Sequence, residues 1–217
     1  FRRIVIDPGL VETEGEAGER ELLAAMRDDA KVVRLAPQAL VALGRRPPNN
    51  LTEYRLGRVA EVSQARFALD ERFVDLALLV DQGEDAPSGR WSTEPRRYDN
   101  LRQVLAELAD PVLVLLGPPG SGKSTLLRRL ELELASEGLR HEGAGISFFV
   151  SLNGYRHEGA AESRPDPWAW LCARWTARYP ALPALERLVA EQPTWLLLDA
   201  LNEMPHADMA DYRERIR

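Results

Sequence analysis

The sequence predicts an α/β fold: a three-layer sandwich around an incomplete parallel sheet, preceded by a small α/β segment. Three observations carry this. An apolar run, Val112-Leu-Val-Leu-Leu116, enters a glycine-rich turn and then helical spacing. A second run, Trp195-Leu-Leu-Leu-Asp199, is too apolar for a half-solvated strand and should be covered on both faces, as in a parallel sheet. From the first residues onward, short strand-like stretches alternate with helical ones.

Residues 1–46 have the rhythm of a small α/β unit and give no clue to a chemistry. Ile4-Val-Ile6 is a short strand ended by the turn Asp7-Pro-Gly9, and a helix follows over Glu14 to Asp28. Val32 to Leu35 is a second strand, and Pro37 opens a short helix ending at Gly44. Asp7 at a strand end could be a catalytic carboxylate, but a turn-forming Asp before Pro accounts for it more simply.

Residues 47–97 read as a linker with a helix and a strand. Prolines and asparagines in Arg45-Arg-Pro-Pro-Asn-Asn50 mark a boundary, and Thr52 caps a helix running to about Ser63. Phe73 to Val80 is extended and apolar, and Pro87 to Arg97 is an exposed connection.

Residues 98–217 carry the chemistry. Leu101, Val104, Leu105 and Leu108 give a helix over Tyr98 to Ala109, and Asp110-Pro111 breaks it before the strand at Val112. Gly117-Pro118-Pro119-Gly120-Ser121-Gly122-Lys123-Ser124-Thr125 follows and spells G-x-x-x-x-G-K-S, the phosphate-binding loop. Its glycines let backbone N–H groups point inward at phosphate oxygens, and the helix beginning near Lys123 adds its positive end. Lys123 reaches the β- and γ-phosphates, and the Ser124 hydroxyl is placed to ligate Mg²⁺. Only Lys31 and Lys123 are lysines in a chain that otherwise uses arginine, and a compact ammonium suits a point charge between phosphates.

The helix after the loop runs over Lys123 to Ala135, with Gly138 as its C-cap. Ile146 to Leu152 is the next strand, and helices follow over Pro167 to Arg178 and Pro183 to Ala190. Trp168, Trp170 and Trp175 on the first of these fit a core or docking face better than a ligand stack. Cys172 among them reads as a small buried hydrophobe rather than a nucleophile.

Asp199 ends its strand where parallel sheets place ligands, at the carboxyl edge. That is the position for a carboxylate holding Mg²⁺ directly or through water. Glu203, just beyond, is suited to accept a proton from the water that attacks a γ-phosphate.

Together the loop and Leu196-Leu-Leu-Asp-Ala-Leu-Asn-Glu-Met204 resemble the NACHT group of STAND-type signalling NTPases, NLR-like proteins with bacterial members. Phe148-Phe-Val-Ser-Leu-Asn-Gly-Tyr-Arg156 is similar to that group's second strand. The group's second motif reads D-G-h-D-E or D-G-h-N-E. Ala200 departs from it, Asn202 is a tolerated variant, and Glu203 is left as the base of a slow hydrolysis. Phe73-Val-Asp-Leu76 resembles the group's segment near adenine, which implies adenine contacts for Phe73 and Val74.

The resemblance covers about residues 70 to 205 and leaves out residues 1–46. It implies an ATPase switch. ADP holds a closed monomer, and ATP with Mg²⁺ favours self-association that activates an effector in response to a trigger, neither of them identified. A role in antiphage defence rests on resemblance alone. The group's sensor-1 strand, helical lid and winged helix have no counterpart here. Since that strand lies between the two motif strands, residues 1–217 alone are expected not to fold stably. Two other readings stay open, a small-molecule kinase and an ATP-binding scaffold with little turnover. No guanine-reading N-K-x-D pattern occurs, which favours adenine.

Composition limits the partners. A net charge of −6 argues against a nucleic-acid surface as the main business of this segment. One cysteine excludes an internal disulfide and fits the reducing cytoplasm. No apolar run reaches the ~20 residues of a membrane span.

Overall fold

The computed structural model describes residues 4–6, 15–28, 33–64, 76–78, 96–98, 100–107, 112–141, 143–155, 165–204 and 213. Contacts divide the chain into two compact units, Phe1–Phe67 with Glu131–Arg217, and Ala68–Leu130.

The first unit opens as expected with a β-α-β arrangement. β1 (Ile4–Ile6) pairs in parallel with β2 (Val33–Leu35), and α1 (Gly15–Arg27) is the crossover that parallel neighbours require. Leu22, Ala25 and Met26 of α1 are buried. α2 (Pro37–Arg45) starts on its proline, whose missing N–H costs nothing in a first turn, and buries Ala39, Leu40 and Leu43.

α3 (Leu51–Val62) is capped by Asn50 and not by Thr52. The Asn50 Oδ1 accepts from the Glu53 N–H at 2.9 Å, and the Glu53 carboxylate accepts from the Asn49 N–H at 2.9 Å. This exchange is a variant of the capping box in which the N–H of the residue before the cap is the one satisfied, so the asparagines read as linker residues start the helix.

In the second unit, β3 (Leu76–Leu78) pairs antiparallel with β4 (Arg96–Tyr98). α4 (Leu101–Glu107) follows, shorter than its spacing suggested, with Asn100 accepting from the Gln103 N–H at 3.0 Å as its cap.

Val112–Leu116, expected as a strand, forms none. Val112, Val114 and Leu116 are 68%, 60% and 74% exposed. Apolar sequence makes a strand only when a neighbour supplies ladder hydrogen bonds, and this segment belongs to neither the β3–β4 sheet nor any other described sheet.

α5 (Lys123–Arg140) extends past its predicted end. Gly138 is no C-cap: it lies within the helix, and a Cβ there would overlap the Arg55 side chain. The glycine makes room for Arg55, whose guanidinium donates to the Ala144 carbonyl at 2.9 Å.

β5 (Ile146–Ser151), α6 (Pro167–Arg178), α7 (Leu185–Glu191) and β6 (Thr194–Asp199) complete the first unit. β5 and β6 pair in parallel, with Ile146 opposite Thr194 and Ser151 opposite Asp199. This mixed architecture, with its two-stranded parallel sheet, is consistent with the incomplete P-loop α/β fold read from the sequence. The core gathers around Trp175, which is fully buried; the Phe148 ring stands edge-on to it at 5.0 Å and the Tyr54 ring lies 5.3 Å away. Trp175 Nε1 donates to the Pro183 carbonyl at 2.9 Å, so the indole is buried without an unsatisfied donor. Trp170 is buried as well and Trp168 is exposed, which places two of the three tryptophans in the core. α3 contributes Tyr54, whose hydroxyl donates to the Ser147 carbonyl of β5 at 2.6 Å.

β5 is buried on both faces, but β6 is not: Leu197 is buried while Leu198 is 41% exposed. The expectation of a doubly covered β6 fails because, among the described residues, β5 is its only ladder partner. An edge strand is covered less completely than a central one.

Candidate functional site

The loop residues Gly117 to Gly122 lead directly into the first turn of α5, as the motif requires. Gly120 and Gly122 have φ of 79° and 87°, a region costly for any residue with a Cβ. The Ser121 N–H donates to the Pro118 carbonyl at 3.2 Å and closes the turn, and the Leu126 N–H donates to the Gly122 carbonyl at 2.9 Å, an early helical bond of α5. The backbone N–H groups of a first turn have no partner within their helix, so this turn can offer donors to an anion.

Lys123 lies across the loop. Its Nζ donates to the Gly117 carbonyl at 2.8 Å and the Pro118 carbonyl at 3.0 Å, with the Ser121 hydroxyl at 3.5 Å. The ammonium is thus held against the loop's own oxygens, which a phosphate oxygen could replace. Sequence reasoning named Lys123 but not these resting contacts, which depend on how the loop curls. Ser124 is exposed beside it, and Thr125 is partly exposed within the same turn.

In the other unit, Asp199 ends β6, paired in register with Ser151 and partly buried. Ala200 follows with φ 61° and ψ 37°, the left-handed region, and is the only described non-glycine residue with positive φ. It turns the chain into the 3₁₀ turn Leu201–Glu203, where the Glu203 N–H donates to the Ala200 carbonyl at 2.9 Å and the Glu203 side chain is exposed. The signal for this strain was present in the sequence, as an alanine where the resembled motif has glycine. Met204 then returns to the core.

Ser124 and Asp199 offer hard oxygen donors of the kind Mg²⁺ accepts, and an ion that shares its shell with substrate phosphates and water needs few of them. Among the described residues no group of three or more His, Cys, Asp or Glu side chains forms an all-protein metal cage. Phe73, Val74 and Asp7 lie outside the described residues. Cys172 is buried, and burial pushes its thiol from an ordinary 9.0 to about 11, with the Glu186 carboxylate adding to the shift. A thiol held neutral is no nucleophile, in keeping with the packing role read for it.

A glycine-curled loop at a helix start and a strand ending in a carboxylate define the class: a P-loop nucleotide-binding domain. Comparison with known families narrows it. Residues 111–217 match the family model described as "NACHT domain", which supports a NACHT-type NTPase fragment in this part of the chain. The Lon protease of Lachnoclostridium phytofermentans is 30% identical over 90 residues, 41% of this chain and 11% of that protein. The chain therefore spans only about a tenth of that relative's length. No solved structure matches the chain. Among the described residues no helix is long and apolar enough to cross a membrane.

Proposed function

We propose that this chain is the nucleotide-binding part of an ATP-driven switch that couples nucleotide state to self-association and activation of an attached effector. The observation that supports it most is the loop Gly117 to Thr125, with Lys123 bonded to the Gly117 and Pro118 carbonyls at the head of α5. ATP and ADP would bind there through backbone N–H groups and Lys123, with Phe73 and Val74 against the adenine. The Ser124 hydroxyl and the Asp199 carboxylate would be the residues that hold Mg²⁺, and the ion would supply positive charge against the γ-phosphate. Glu203, exposed on its short turn, would orient and deprotonate the attacking water. Residues 98–217 would form the NTPase segment, 47–97 its lead-in and 1–46 the end of a preceding segment. The setting is cytoplasmic, with antiphage defence as the physiological context suggested by resemblance.

A switch needs the γ-phosphate to contact one conformation and not the other, since a ligand shifts an equilibrium only by its differential affinity. The test is the solution mass of the full-length protein in ATP·Mg²⁺ and in ADP, with Lys123→Ala as the control. The switch requires a rise in mass with ATP that the control abolishes. An unchanged monomer with steady turnover would instead direct attention to a phosphoacceptor and a metabolic kinase.

A further inference from the structure

A second concave surface lies wholly within the first unit and uses none of the motif residues. The end of α2, the outer face of α3 and the end of α6 enclose a cleft of about 300 Å³ lined by Gly44, Arg45, Glu61, Gln64 and Arg178. It adjoins a narrower recess of about 120 Å³ into which Arg45, Arg46 and Arg178 also project.

The charges are unevenly satisfied. Glu61 accepts from Arg58, which also donates through Nε and Nη2 to Glu131, so the one carboxylate facing the cleft shares that cation with Glu131 and is balanced only together with Arg178. Arg178 reaches the same Glu61 oxygen only at 3.4 Å, is 47% exposed, and rests over the Tyr179 ring at 5.3 Å. Arg46 is spent on Glu19. Arg45 is exposed and has no ion-pair partner among the described residues. The cleft therefore presents two guanidinium forks with spare donors, the Gln64 amide beside them, and no uncompensated carboxylate.

We propose that this cleft is an anion site for a small phosphate-bearing molecule, held by Arg45 and Arg178. Two planar forks match the several oxygens and double charge of a phosphate monoester better than the single charge of a carboxylate. The volume leaves room for a modest organic group beyond the phosphate. The Arg58–Glu131 pair fixes α3 from beneath, so one wall of the site is preformed and little ordering is needed on binding.

The test uses the full-length protein carrying Lys123→Ala, which removes the loop as a competing phosphate site whether or not the nucleotide reading holds. Phosphorus NMR line broadening is followed with inorganic phosphate and with phenyl phosphate, and acetate is added as a competitor. Saturable binding that acetate does not displace, weakened at least tenfold by Arg45→Ala and by Arg178→Ala, is the expected result. Tighter binding of phenyl phosphate than of inorganic phosphate would mark an organic phosphate as the source, and the reverse order free phosphate. Absence of saturable binding, or binding unchanged in the arginine variants, would overturn the proposal. Should Arg178→Ala fail to fold, the exposed Arg45→Ala decides alone, by the same criterion.

Discussion

The Arg58 guanidinium and the Glu131 carboxylate meet in a two-point ion pair, Nε to Oε1 at 2.7 Å and Nη2 to Oε2 at 3.1 Å, with both side chains buried. The pair ties α3 to the middle of α5, the helix whose first turn carries Lys123. Burial alone would lower the affinity of Arg58 for its proton. Glu131 more than reverses this and keeps the guanidinium charged.

Breaking that pair leaves a buried charge without a counterpart. Glu131→Leu should destabilise the protein by about 3–5 kcal/mol, and Arg58→Met, Glu131→Leu together should cost clearly less than Glu131→Leu alone. Chemical denaturation of the two variants beside the unaltered protein measures both. Equal losses for the single and double variants would show that packing, not charge, carries the contact.

Ala200 gives a prediction of the opposite sign. Its left-handed backbone is strained for any residue with a Cβ. Ala200→Gly should raise stability by about 1 kcal/mol, and Ala200→Val should lower it, since a β-branched residue tolerates φ near 61° least. Denaturation midpoints moving the other way would mean that the turn between Asp199 and Glu203 is held by something other than this dihedral.

Three buried acids should weaken the fold at high pH. Burial raises the hydroxyl pKa of Tyr54 well above 10.0, raises that of Tyr179, and pushes the Cys172 thiol to about 11. In each case the folded state holds its proton more tightly than the unfolded chain does. Their contribution is complete below about pH 9 and is lost as pH rises through 9 to 11 and beyond. Stability measured from pH 8 to 11 should stay level and then fall. Tyr54→Phe should soften the fall, after costing about 1 kcal/mol for its hydrogen bond to Ser147. Iodoacetamide should leave Cys172 of the folded protein unmodified at pH 8.

The proposed base and metal ligand separate by kinetics. Glu203→Gln should lower ATP turnover by about 10²–10⁴ with ATP binding retained. Asp199→Asn should weaken the response of both binding and turnover to Mg²⁺. Turnover unchanged in Glu203→Gln would favour the scaffold reading, in which nucleotide is bound but not usefully hydrolysed.

Residue order alone determined the phosphate-loop motif, the carboxylate-ended strand, the helices over Pro167 to Arg178 and near Leu185, and the family resemblance. These signals are local: glycines at fixed spacing, a lysine in an arginine-rich chain, and periodicity sustained over several turns. What the sequence misassigned depended on a distant partner. Val112–Leu116 has the composition of a strand but, without a ladder, is not one, and Leu198 is exposed because β6 lies on a sheet edge among the described residues. Gly138 spells a helix end but accommodates Arg55 from another helix. The Arg58–Glu131 pair joins residues 73 positions apart, a distance at which no periodicity could signal it. Local spacing fixes which backbone conformation is cheap, while burial, pairing and strain are set by whichever residues the tertiary fold brings alongside.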